Sequence, residues 1–200
     1  MNIITTTLTT EAVFDDSCNK RYLLKKSWDN TLPTLAIIML APSIASGVTM
    51  DSTTNLVLNN ASELGFGSVS IVNLFATLGD FTLSSAESND PENMKAILDA
   101  VKDADVVIYA PGVGKNKLQV FQERSIQVLT ALQPYEKKLK CLTSASGKAK
   151  LLHPLCPAVR RWHLVELRLA ELLSTTDPVE PKSPPKKKGR PMVIMKEVSA

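Results

Sequence analysis

Thiols and imidazoles are scarce in this 200-residue chain, which has three cysteines and two histidines. Cys18, Cys141 and Cys156 are odd in number and far apart. That argues against a disulfide framework and for a reducing, cytoplasmic compartment. With only His153 and His163 besides, no metal-ligand spacing arises, and neither metal nor cofactor is expected. No stretch approaches the roughly 20 apolar residues of a membrane helix. The opening "MNIITTTLTTEAVF" lacks a basic start and a long apolar stretch, so no secretory signal is expected. Most of the chain also lacks an excess of either charge. Residues 175–200 hold six basic residues and three acids, and the chain totals of 23 and 20 leave 17 of each in residues 1–174. A neutral body does not favour general duplex-DNA binding, which rests on neutralised phosphates.

What is present suits one domain with a real core, since 44% of the residues are hydrophobic. The Thr-rich opening and "RYLLKKSW" (Arg21–Trp28) read as strands joined by the turn-like "DDSCNK", a β-hairpin. The continuous apolar run "TLAIIML" (Thr34–Leu40) predicts a strand buried on both faces. "SVSIVNLF" (Ser68–Phe75), "DVVIYA" (Asp105–Ala110) and "KLKCLT" (Lys138–Thr143) predict three more. Helical spacing falls between them, over Thr53–Gly65, Asp90–Ala104 and Asn116–Leu132. The second of these opens on Asp90 as N-cap and Pro91 at the first helical position. A last helix is expected over Pro157–Leu173, with Val159, Trp162, Leu169 and Leu173 on one stripe. This alternation predicts an α/β domain over residues 1–174: a short, mainly parallel four-stranded sheet between helices, plus the N-terminal hairpin. Residues 175–200 hold five of the twelve prolines and a lysine cluster, and read as a disordered tail.

In open α/β sheets, ligands bind beyond the carboxyl ends of the strands. Those ends carry "APSIASG" (Ala41–Gly47), "NLFATLGD" (Asn73–Asp80), "APGVGKN" (Ala110–Asn116) and "SASGKAKLLHP" (Ser144–Pro154). Ala41, Pro42, Ser43, Phe75 and Gly112 would line a pocket there. Asn73 closes an apolar strand, so its amide either braces a loop or faces a ligand. His153 precedes Pro154, which favours an extended backbone and lets the imidazole donate to an anionic oxygen or act in acid–base work. "GVGKN" lacks the full P-loop pattern. A basic stretch runs through Lys148, Lys150, Arg160 and Arg161, with no acid in residues 144–165, and would suit phosphate. In the tail, Lys186, Lys187, Lys188, Gly189, Arg190 and Pro191 are similar to the core of an AT-hook. There a Gly-Arg-Pro enters a narrow minor groove and flanking lysines meet phosphates.

Four stretches in order resemble the family known as domain of unknown function 1643. They are "AVFDDSCNKRYLLKKSWDN", "IIMLAPSIAS" with "DSTT" (Asp51–Thr54), "LGFGSVSIVNLFA" and "LLHPLCP", within residues 12–157. That family is in turn similar to the uracil-DNA glycosylase superfamily, which implies a three-layer sandwich. The resemblance also implies a water-positioning Asp or Asn before the first loop's Pro, and a His near the base's carbonyl oxygen. Here Ala41 stands at the former place and Ile44 where the family has Thr. Asp51 is then the available substitute for placing water, beside Asn73 and His153. The expected function is a nucleic-acid or nucleotide-binding domain with an altered, inactive glycosylase-like pocket. The alternatives are an active hydrolase on a nucleotide or modified base, and a phage or mobile-element accessory protein that works through a protein partner.

Overall fold

Buried β-branched runs set the frame. The computed structural model describes residues 1–79, 89–112, 119–147 and 151–174. Strands β1 (Thr9–Phe14) and β2 (Arg21–Ser27) form the expected hairpin. Then follow β3 (Thr34–Met39), helix α1 (Ser52–Glu63), β4 (Ser68–Asn73), α2 (Pro91–Asp103), β5 (Val106–Tyr109), α3 (Gln119–Ala131) and β6 (Leu139–Thr143). The described residues close with β7 (His163–Glu166) and the short α4 (Leu169–Ser174).

The sheet has seven strands in the order β1-β2-β4-β3-β5-β6-β7. The expectation of a four-stranded sheet is therefore corrected. Strands β4, β3, β5 and β6 are parallel, but β2 adds antiparallel to β4, and β7 adds antiparallel to β6. The hairpin is part of the sheet rather than an appendage. The expected helix over Pro157–Leu173 is also corrected. It splits into a 3-10 turn (Pro157–Val159), β7 and α4. Asn60 on α1 explains the break: its Oδ1 accepts from Trp162 N–H at 2.9 Å and its Nδ2 donates to the Arg160 carbonyl at 3.1 Å. Those backbone groups are spent on α1, and residues 163–166 complete the edge of β6 instead. Val159 and Trp162 thus pack on one face of the sheet and Leu169 and Leu173 on the other.

Right-handed crossovers sort the helices. The chain leaves β3 towards β4 through α1, then returns past β3 to β5 through α2. The two helices must lie on opposite faces. Accordingly, Val57 and Ala61 of α1 share one core with Val69, Ile71 and Trp162. Ile97 and Val101 of α2 share the other with Phe121, Val128 and Leu129 of α3. Local chemistry sets the helix starts. Asp51 caps α1 by accepting from Thr54 N–H at 2.7 Å, and Asp90 caps α2 by accepting from Asn93 N–H at 3.1 Å. Among the described residues, no helix is long and apolar enough to cross a membrane. Lys148, Lys150 and the tail segment 186–191 lie outside the described residues.

Candidate functional site

Because β3, β4, β5 and β6 run parallel, their carboxyl ends lie along one edge. The strand order reverses between β3 and β5, the position where such sheets open a crevice. The loops that flank it are 40–51 after β3 and 110–112 after β5.

The loop after β3 is held from below by two buried cations of β2. Arg21 is 1% exposed and its Nη1 donates to the carbonyls of Ser43 (3.2 Å) and Ala45. Lys26 is 0% exposed and its Nζ donates to Thr10 Oγ1 (3.0 Å), Ser46 O (3.3 Å) and Gly47 O (2.5 Å). Burial pulls the Arg21 guanidinium down to about 10, against the pull of Asp51. Burial likewise lowers Lys26. "RYLLKKS" looks like a solvated strand, which is why both cations escape notice in sequence. One signal was available: Lys26 lies two residues from Leu24, so the pleat puts it on the same inward face.

Asp51 ends this loop, and its charge acts on His153. Burial raises the Asp51 carboxyl, but Thr54, the Ser43 hydroxyl and the charge of Arg21 together hold it below its ordinary value. Asp51 also acts as the α1 cap, so part of its hydrogen-bonding capacity is committed. Ser43 has a second link, its Oγ accepting from Ala45 N–H at 3.4 Å. His153 is half-buried. Burial lowers its imidazole, with Asp51 opposing. Leu155 N–H donates to Nδ1 at 3.2 Å, which assigns the proton of the neutral ring to Nε2. Gly112 closes the other side: its φ is +82°, and a Cβ there would stand 3.1 Å from His153 Cβ. Pro42 is buried, whereas Ala41 and Ser43 are half-buried.

Asn73 ends β4, in register with Met39. The alternation Val69, Ile71, Asn73 puts its side chain on the α1 face. Its backbone is gripped from the opposite face. Asn93 Nδ2 donates to the carbonyls of Asn73 (3.2 Å) and Leu74 (3.0 Å), and Arg124 Nε donates to Leu74 O at 2.9 Å. The Asn73 amide itself is 1% exposed, and neither Oδ1 nor Nδ2 has a hydrogen-bond partner. Phe75 is buried in the α2–α3 core. Arg160 and Arg161 are exposed, flanked by the buried anchors Val159 and Trp162. The described residues contain no cluster of His, Cys, Asp and Glu fit for a metal.

Residues 21–155 match the family described as protein of unknown function (DUF1643). The chain belongs to that family. The matched span runs from Arg21 to Leu155 and so contains the buried cations, Asp51, Asn73, Gly112 and His153. No curated protein and no solved structure matches the chain.

Proposed function

We propose that this family member binds a nucleobase, as a nucleotide or within nucleic acid, at the crevice bounded by Asn73 and His153. The observation that carries the reading is the Asn73 amide. It is a buried donor beside a buried acceptor, with both unpartnered. Leaving such a group unsatisfied costs about 1–3 kcal/mol. The edge of a nucleobase offers an acceptor and a donor side by side, which satisfies both atoms at once. His153 adds an Nε2 donor on a ring that stays neutral at pH 7. The resemblance to the uracil-DNA glycosylase superfamily expected from sequence would point the same way. Binding without hydrolysis is the favoured form. Ala41 brings no group to position water, and Asp51 is committed to Thr54 and Ser43.

The intact chain, titrated with nucleoside 5′-monophosphates and with a 12-nucleotide single strand, should bind at least one of them. Absence of binding up to millimolar concentrations would sink the reading. Asn73→Leu separates a ligand role from a bracing one. It removes two unsatisfied polar atoms without opening a cavity, so thermal stability should hold or rise. Affinity should fall by about tenfold or more for two lost hydrogen bonds. A bracing asparagine would show the reverse, with stability lost and binding kept.

Duplex affinity would have another source. The charge excess sits wholly in residues 175–200. Deleting them should reduce duplex-DNA binding and flatten its salt dependence, since fewer phosphates are neutralised. Duplex binding that keeps its salt slope after the deletion would remove the hook-like tail from consideration.

A further inference from the structure

The tip of the loop after β3 carries two large aliphatic side chains in full view of solvent. Ile44 is 79% exposed and Val48 is 95% exposed. Neither lies on a disordered excursion. The carbonyls of Ser43, just before Ile44, and of Ala45, Ser46 and Gly47, between Ile44 and Val48, are tied down by Arg21 and Lys26. Burying two cations with only carbonyls and a hydroxyl for hydrogen-bond partners is an expensive way to fix a surface loop. It makes sense where the geometry of the tip matters.

The other side of the same face carries the complementary charge. The exposed Arg160 and Arg161 are fixed to α1 through Asn60, and Val159 beside them packs in the same core as Ala45. Asp51 and Asn60 are nine residues apart on the helix, about 13 Å along its axis. A rigid apolar tip and a pair of arginines therefore flank α1, one near each end. Cations for phosphates beside a surface on which bases pack is the pattern of single-strand recognition, with aliphatic side chains here in the place of the more usual aromatic ones.

We infer that the ligand is single-stranded nucleic acid, with bases neighbouring the bound one packing on Ile44 and Val48 and phosphates meeting Arg160 and Arg161. This rests on the nucleobase reading above and narrows it. A free nucleotide would use Asn73 and His153 alone. A strand would use the loop tip as well.

The test compares the intact chain with the double variant Ile44→Ser/Val48→Ser. The probes are the nucleoside 5′-monophosphates and a fluorescein-labelled 12-nucleotide single strand. Both side chains are exposed, so the thermal midpoint should not move. The variant should bind the 12-mer about tenfold more weakly or worse, and the mononucleotides as before. In a second variant, Arg160→Gln/Arg161→Gln should lower the log–log salt slope of 12-mer binding by about 1.4, for two phosphate contacts to a single strand. Equal 12-mer affinity in the Ile44/Val48 variant and the intact chain would overturn the inference. So would an equal loss for mononucleotides and 12-mer, which would make the loop a general support of the crevice. If mononucleotides bind and the 12-mer does not, the strand inference falls and the nucleobase reading stands. If neither binds, both fall.

Discussion

Gly67→Ala should destabilise the protein by about 4 kcal/mol, among the largest effects of any single methyl group. For a chain of this size the thermal midpoint should drop by about 10 °C. The cause is a close backbone approach. A Cβ at Gly67 would stand 1.8 Å from the Asp29 carbonyl oxygen and 2.9 Å from Leu32 Cβ. The oxygen cannot swing away as a side-chain tip would. The neighbouring segment is stitched to this residue: Gly67 N–H donates to Pro33 O, while Gly67 O accepts from Trp28 and Asp29 N–H, all at 2.9–3.0 Å. These bonds tie the link between β2 and β3 to the start of β4, so relieving the clash breaks the junction of three strands. Gly65→Ala is the informative comparison. Its φ is +80°, but nothing lies within 4 Å of its Cβ position, so only left-handed strain of about 1–2 kcal/mol is expected. Thermal unfolding of both variants checks the contrast. A Gly67→Ala loss no larger than that of Gly65→Ala would show that the close approach is readily relieved.

Arg21→Met should cost about 3 kcal/mol of stability and, on the proposed nucleobase reading, most of the nucleobase affinity with it. The methionine fills similar volume but leaves the carbonyls of Ser43 and Ala45 without their shared donor. It also removes a positive charge that helps to lower the Asp51 carboxyl. The electrostatic readout is specific. Arg21 helps to hold the Asp51 carboxyl below its ordinary value, so in the variant that carboxyl should titrate at higher pH. The sign of the stability effect follows. A carboxyl depressed in the folded state adds stability above its unfolded value of 3.8, and that stability is lost as pH falls through the folded value. The variant should therefore lose less stability between neutral and acid pH than the intact protein. NMR titration of the Asp51 carboxyl and urea unfolding at several pH values measure both effects. An unchanged Asp51 titration would separate Arg21 from the site.

Residues whose surroundings are local in sequence were legible before any fold was known. Asp90 and Pro91 begin α2 because a cap and a fixed φ act within one turn. The run Thr34–Met39 is a buried strand and reads as a nearly continuous apolar stretch, and Ser68–Asn73 and Val106–Tyr109 are strands where the sequence also predicts them. Asn73 and His153 were visible as polar groups at the strand ends, where a parallel sheet collects its loops. Residues 157–173 were not legible, because their apolar spacing fits a helix until Asn60 takes the backbone of Arg160 and Trp162, a hundred residues away. Arg21 and Lys26 were not legible as buried cations, because apart from the two-residue spacing of Lys26 from Leu24 nothing near them in sequence announces the loop that buries them.

By itself, then, the sequence determined the alternation of strands and helices, the neutral body with its basic tail, and the polar groups at the strand ends. The tertiary structure alone decided the seven-stranded sheet, the burial of two cations under the loop after β3, and the unpartnered amide of Asn73. The division has one physical reason. Caps, turns and periodicity act over a few residues, whereas desolvation of a charge or an amide depends on which distant segment comes to rest on it.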